Sequence, residues 1–311
     1  MSPIVLDTPV VLIVFNRPET TERVFSSIRN ARPSRLLVVA DGPRKHSPTD
    51  HALCAKVRQI VEQVDWPCEV SRNYSETNRG CKHGPASGIS WAFEQVDEAI
   101  ILEDDCLPHP DFFSYCQDML ARYRDDDRVM TVCGTNLLGK WRESVQGYHF
   151  SSYDIVWGWA SWSRAWKHYD ITMKSWGDPD ARTLFKESLP DQGHYRLWAK
   201  GFQQVFDNRL DAWDYQWTFA RLLRHGLAVV PSVNLISNIG FSPAATHTKL
   251  FDQGMTNLAT YPLASPLPEN CNVIADHDYD SRFIRILKHP ETFLQKIRYL
   301  LWGLRTSAKG S

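Results

Sequence analysis

The sequence predicts an α/β fold: a mostly parallel sheet flanked by helices on both faces. From Pro9 to about Cys133, short apolar runs alternate with helix-length polar segments, which is the pattern of successive βαβ units. Each apolar run stops at polar or glycine-containing residues, and the run Ala99-Ile100-Ile101-Leu102 stops at Glu103-Asp104-Asp105. The near-continuous apolar character of these runs fits strands buried on both faces.

Val10 to Phe15 forms the first predicted strand, closed by Asn16-Arg17-Pro18, and Glu19 to Asn30 the first helix. A strand over Leu36 to Ala40 ends at the turn residues Asp41-Gly42-Pro43, and a helix covers roughly Pro48 to Val64. Cys68 to Arg72 is a third strand. The helix Pro85 to Gln95 follows the loop Asn78 to Gly84, with Pro85 expected at its first position. Ala99 to Leu102, a helix over Pro110 to Tyr123 and a strand over Val129 to Cys133 complete the alternation. Beyond residue 140 the pattern becomes aromatic and irregular, centred on Trp157-Gly158-Trp159-Ala160-Ser161-Trp162. Helices resume at Gln192 to Phe206 and Trp213 to His225. Residues 231 to 272 read as loop-rich, and Pro290 to Leu304 as a basic amphipathic tail suited to covering the core or touching a partner or a membrane surface.

With 311 residues, 43% hydrophobic, the chain is long enough for a substantial core. A formal charge of -1 gives no electrostatic footprint for nucleic acid. The 7 cysteines are odd in number, scattered and free of any C-x-x-C pair, so they read as reduced thiols of a cytoplasmic protein. The first apolar run is too short for a signal peptide or a membrane span. Most of the 12 tryptophans fall between Trp141 and Trp217; core packing is the favoured use for each, with stacking on sugars or bases the alternative.

In an open parallel sheet, ligands bind beyond the carboxyl ends of the strands. Three adjacent carboxylates at such an end repel one another unless a counter-charge offsets them, and alternation sends at least one into the cleft. A divalent cation bridging to phosphates would satisfy them. Asp41 ends the second strand and can accept from a base or a ribose hydroxyl; Asn16 can do the same, and Arg17 can also meet a phosphate bidentately. Arg79 and Lys82 lie in a loop entering a helix, where backbone N–H groups and cations can meet an anion. Asp211 resembles an N-cap of the helix beginning near Trp213, whereas Asp214, in its first turn, can point into the cleft as a general base. His247 sits in a loop-rich segment of the kind that closes over ligands.

An apolar strand ending in Glu103-Asp104-Asp105, followed by Pro110, Phe112, Phe113 and Tyr115, resembles the metal-binding strand end of GT-A nucleotide-sugar glycosyltransferases, most closely the N-acetylglucosaminyltransferase I type. The opening Val-Phe-Asn-Arg-Pro is similar to the first strand of that type and of bacterial family 2-like enzymes. The resemblance covers about residues 9 to 250. It implies a Rossmann-like GT-A domain over residues 1–285, with a nucleotide-binding half (9–136), an aromatic-rich acceptor half (137–285) and a tail over 286–311. It further implies Mn²⁺ or Mg²⁺ on Asp105, with His247 at the diphosphate or the metal. Glu103 and Asp104 would meet the donor, Asp41 and Arg17 would lie near the base, and Trp159 would help shape the sugar pocket. Asp214 matches the Trp-Asp that carries the catalytic base, but Tyr215-Gln216 departs from the relatives' Trp-Asp-Asp-Trp, which keeps Asp211 open as the alternative.

The expected activity is metal-dependent, inverting transfer of a hexosyl or N-acetylhexosaminyl unit from a UDP-sugar, UDP-N-acetylglucosamine by resemblance, to a glycan or other hydroxyl acceptor. Without the membrane anchor of the Golgi relatives, the expectation is a soluble bacterial enzyme, with peripheral membrane contact available to the tail. The rivals are a sugar-phosphate nucleotidyltransferase and a non-catalytic carbohydrate-binding protein. The first would carry a glycine-rich basic loop where Asn16-Arg17-Pro18-Glu19 stands; the second would leave the acidic block unexplained.

Overall fold

A computed structural model describes residues 6–240, 257–269 and 272–288. The chain runs β1 (Val10–Val14), α1 (Pro18–Ala31), β2 (Arg35–Ala40), α2 (Asp50–Val61), β3 (Glu69–Tyr74), α3 (Gly80–Phe93) and β4 (Glu98–Glu103). Next come β5 (Cys106–Pro108), α4 (Asp111–Arg122), β6 (Val129–Cys133), β7 (Tyr148–Ser151), β8 (Trp159–Trp162) and α5 (Ser163–Trp166). After a 3-10 turn at Lys174–Gly177 follow α6 (Pro179–Glu187), α7 (Gln192–Phe206), α8 (Asp214–Leu222), β9 (Leu227–Pro231), β10 (Ile236–Asn238) and α9 (His277–Lys288).

The 8-stranded sheet has the order β3-β2-β1-β4-β8-β6-β9-β7. Strands β1 to β4, β6 and β9 share one direction, while β8 and β7 oppose their neighbours. The predicted mostly parallel sheet is therefore present. Alternation along β1 sends Val10, Leu12 and Val14 to the face covered by α1, α2 and α4, and Val11 and Ile13 to the face covered by α3, α5 and α8. Both faces are buried, which accounts for the unbroken apolar runs.

From β1 the chain steps outward to β3, then returns through α3 to place β4 on the other side of β1. Strand order reverses between β1 and β4, and a crevice at the carboxyl ends follows from that reversal. The main site is there.

The structure corrects three expectations. Trp157 to Trp162 is not an irregular loop: its second part is β8, inserted between β4 and β6 and covered on both sides. Gly158 at its entry has φ +61°, and a Cβ there would come within 2.3 Å of Ile236 Cδ1, so a left-handed, uncrowded residue is required. Pro85 lies inside α3, which starts at Gly80. Within 231 to 272, β10 pairs with β5 in a small antiparallel sheet that supports the acidic loop. The predicted tail from Pro290 lies outside the described residues, but α9 is amphipathic and buries Tyr279, Phe283, Ile284 and Ile286 against the second half of the core.

On edge strand β7, His149 is 2% exposed and burial pushes its pKa down to about 4. In the unfolded chain it titrates near the ordinary ~6.5, so the unfolded state binds the extra proton first as pH falls. Stability should therefore drop between about pH 6.5 and 4 by roughly 3 kcal/mol from this residue alone. Urea unfolding across that window should show a shallower pH dependence in His149→Phe than in the parent.

Candidate active site

The crevice at the ends of β1 to β4 holds a cavity of about 320 Å³, large enough for most of a nucleotide. Phe15 and Arg17 reach it from β1, Asp41 and Arg44 from β2, Arg79 and Cys81 from the start of α3, and Glu103 and Asp104 from β4. Asp211 closes it from the second half of the chain.

The acidic turn after β4 is answered by one cation. Arg17 donates to the Asp105 carboxylate and lies 3.6 Å from Asp104 Oδ1, while the Phe15 N–H donates to Asp104 Oδ2 at 3.2 Å. Gly240 backs this pair so closely that a Cβ would meet both Asp105 Oδ2 and Arg17. Burial, reinforced by Asp105 and Asp104, pushes the Glu103 carboxyl up to about 8; burial also lifts Asp104 to about 6, against the pull of Arg17. For Arg17, burial works against the charge but is outweighed by Asp104, Asp105 and Glu103, so its pKa rises. With its carboxyl raised to about 8, Glu103 holds a proton at neutral pH, which relieves part of the crowding, and a cationic occupant would relieve it further.

Asp41 is engaged. Its oxygens accept from Gly42 N–H (2.8 Å), Arg79 N–H (2.9 Å) and the Asn78 amide (2.9 Å), which ties the end of β2 to the start of α3. Asp211 caps that same helix: Cys81 N–H and Lys82 N–H donate to its carboxylate at 3.1 and 3.0 Å. The amides expected to cradle an anion are thus already paired with a carboxylate from 130 residues away in sequence. Asp211 is not the N-cap of α8, whose capping position is Trp213. Asp214 opens α8 half-buried; burial raises its pKa, opposed by its own amide and that of Tyr215 and assisted by Asp154. Its charge adds to the raised pKa of Glu103 and Cys81, but Asp214 is not among the residues that line the cavity.

Of the residues singled out in the sequence, Arg17, Asp41, Arg79, Glu103, Asp104 and Asp211 line one cavity, with Asp105 paired to Arg17, while Asp214 is not among the lining residues. Three others are placed elsewhere. Trp159 is 1% exposed and packs in the core against Trp213 (5.9 Å between ring centres) and Trp217 (5.6 Å), so it cannot face a sugar. Lys82 turns away to Asn208 (2.9 Å). Asn16 donates to buried Asp50 (2.9 Å). His247 lies outside the described residues.

The sequence reading placed Arg44 at a strand end without a role and did not single out Asp50. Asp50, 1% exposed, accepts from Arg44 Nε (2.7 Å), Asn16 and Ser47, and these donors hold its pKa well below the usual carboxylate range. Arg44 lies over the Phe15 ring at 5.5 Å, which makes a flat cationic and aromatic wall. Its signal was a basic residue just past a strand end; no local pattern marks Asp50.

Of the two expected metal ligands, only Asp105 lies among the described residues. Among the described residues no three His, Cys, Asp or Glu side chains converge to hold a metal, and Arg17 occupies Asp105. Among the described residues no helix is long and apolar enough to cross a membrane.

No family model matches the chain, and no curated protein matches it in sequence. Among solved structures it is similar to S. aureus TarS 1–349 at 12% identity and a TM-score of 0.40, covering 74% of this chain and 59% of that one. It is also similar to the inositol-1-phosphate CTP transferase from T. maritima, at 11% identity and 0.40, covering 78% and 93%. A third is the 4-diphosphocytidyl-2C-methyl-D-erythritol synthase from Anaerococcus prevotii, at 9% and 0.33, covering 53% and 75%. These likenesses are remote, and the reading of the site rests on its own geometry.

Proposed function

We propose that the protein is a glycosyltransferase that moves a sugar from a nucleoside-diphosphate donor, a UDP-sugar by resemblance, to an acceptor hydroxyl. The supporting observation is the convergence of the acidic turn of β4, with its partner Arg17, of Asp41 and of Asp211 from the second half on one cavity at the topological switch point. In this reading the base and ribose occupy the cavity between Phe15, Arg44 and Asp41. Arg17 turns from Asp105 to the diphosphate, whose negative charge would otherwise be repelled by Glu103 to Asp105. Asp214 takes the proton of the acceptor hydroxyl as its oxygen attacks the anomeric carbon. The bond from that carbon to the phosphate oxygen breaks, and the nucleoside diphosphate leaves with the electron pair. The raised pKa of Asp214 makes it a stronger base than an ordinary carboxylate.

Mn²⁺ or Mg²⁺ joins this scheme only by displacing Arg17 from Asp105. Arg17→Ala should therefore bind Mn²⁺ more tightly than the parent and bind UDP without metal at least about tenfold more weakly, the effect of losing one charge-assisted contact. Calorimetry with each ligand checks both; unchanged affinities would remove Arg17 from the role.

The test of the reading is a thermal-shift panel of UDP, GDP, CDP and their sugar conjugates, with and without Mn²⁺. A ligand that binds only the folded protein stabilises it by about 2.7 kcal/mol at 100-fold excess over Kd. A clear rise with a nucleoside diphosphate supports the proposal, and no response to any nucleotide contradicts it. The rival nucleotidyltransferase would instead bind a nucleoside triphosphate and release pyrophosphate.

A further inference from the structure

Most polar side chains on the outer side of the cleft are already engaged with the protein itself. Asp41 accepts from Gly42, Arg79 and Asn78, and the Asn78 amide also donates to Gly42 O at 3.1 Å. Ser75 Oγ donates to Thr77 O at 2.6 Å, and Arg79 Nη1 donates to Ser87 Oγ at 2.9 Å. The side chains of Asn73 and Glu103 differ: both residues line the cavity and are partly exposed, and among the described residues neither side chain has a hydrogen-bond partner.

The sheet puts these two residues at opposite ends of one row. Register pairs Glu103 with Ile13, Ile13 with Val39 and Val39 with Asn73, across β4, β1, β2 and β3. Paired residues of neighbouring strands project to the same face, here the face covered by α3, where Ile13 and Val39 are packed. All four line the cavity, so the row is its floor: an amide at the outer end, two aliphatic side chains in the middle and a carboxyl at the inner end. Three strand spacings separate the ends, on the order of 14 Å. Above β2, α3 presents Gly84 toward Asp41 and Gly88 toward Val39, and neither has a side chain to fill the space over the floor.

An unpartnered amide next to an apolar floor suits the edge of a planar, hydrogen-bonding ring. In uracil, N3–H donates and the neighbouring O4 accepts; a carboxamide offers the matching acceptor and donor side by side. At the other end of the row, Arg17 suits a phosphate.

We propose that Asn73 sets the base specificity of the cleft. Its amide oxygen accepts from uracil N3–H, its amide nitrogen donates to O4, and the donor lies along the row from Asn73 toward Glu103. Asp41 shapes this pocket by tying β2 to α3 and does not itself take the base. The inference rests on the nucleotide-donor reading of the cleft and adds the residue that selects the base.

The experiment is calorimetry on the full chain with UDP and with N3-methyl-UDP, in which a methyl group replaces the N3 proton. The parent should bind the methylated ligand about tenfold or more weakly than UDP. Asn73→Ala should bind UDP about tenfold more weakly than the parent and should hold the two ligands within about twofold of each other. Asn73 lies on the edge strand β3, so the fold should accept the change; should Asn73→Ala fail to fold, Asn73→Val makes the same comparison. Equal binding of the two ligands by the parent, or a methylation penalty that persists in the variant, would overturn the role of Asn73 alone. No binding of UDP by the parent would instead contradict the UDP-donor reading on which the inference rests.

Discussion

Asp214→Asn should lower turnover by about 10²–10⁴-fold while leaving nucleotide binding within about twofold of the parent, as expected for loss of a general base. The amide keeps the size of the carboxyl group, and Asp214 is half-buried at the first turn of α8, so the fold should tolerate the change. Asp211→Asn should behave differently, because Asp211 serves as a cap for α3 through Cys81 and Lys82. It should soften α3 and cost about 1 kcal/mol of stability, because the amide keeps one accepting oxygen and loses the other, with a smaller effect on turnover. The parent's activity should also have an acid limb above the usual carboxylate range. Burial raises the Asp214 pKa, the base works only when deprotonated, and activity falls as pH drops through that raised value. Single-turnover rates across pH for the parent and the two variants separate these roles. Full turnover in Asp214→Asn would move the base elsewhere.

Arg221→Met should be among the most destabilising single substitutions in the chain. Arg221 and Asp154 are 0% and 1% exposed, and Arg221 donates to Asp154 Oδ1 at 2.5 Å, to Gly226 O at 2.6 Å and to Ser152 O at 3.0 Å. Removing the guanidinium strands a buried carboxylate and two carbonyls. A loss of about 3–5 kcal/mol is expected. Arg221→Met with Asp154→Leu should recover part of that loss, since the uncompensated charge is gone, but not all, since the carbonyls of Ser152 and Gly226 remain unmet. Urea midpoints of the single and double variants make the comparison; a single variant costing under about 1 kcal/mol would contradict it. The pair matters to the site because Asp154 contributes to the raised pKa of Asp214.

How far the sequence reaches can be seen residue by residue. Strands β1, β2, β4 and β6 were legible because each is an apolar run closed by turn residues, and β6 matches its expected bounds, Val129–Cys133. The strand β8 was hidden because both of its faces are buried, which erases the alternation, and because its tryptophans suggested a ligand platform when Trp159 packs against Trp166, Trp213 and Trp217 and Trp162 is buried in the core on the other face. The start of α3 was hidden by Pro85, whose position inside the helix is tolerated while the first turn is held by Asp211. That cap spans 130 residues, and no local pattern carries it. The acidic turn was legible as a charge problem. Its partner was not, because an arginine after β1 reads equally as a phosphate ligand, whereas Arg17 is the counter-ion of Asp105.

The central claim is that the cleft between β1 and β4 carries sugar transfer from a nucleoside diphosphate. The most direct measurement is a product-resolved assay of the full chain with UDP-, GDP- and CDP-linked sugars and glycan acceptors, run beside one with nucleoside triphosphates and sugar phosphates. Release of a nucleoside diphosphate with the sugar joined to an acceptor, abolished in Asp214→Asn, is the predicted result. Pyrophosphate formation from a triphosphate and a sugar phosphate, or no turnover of any nucleotide, would contradict it.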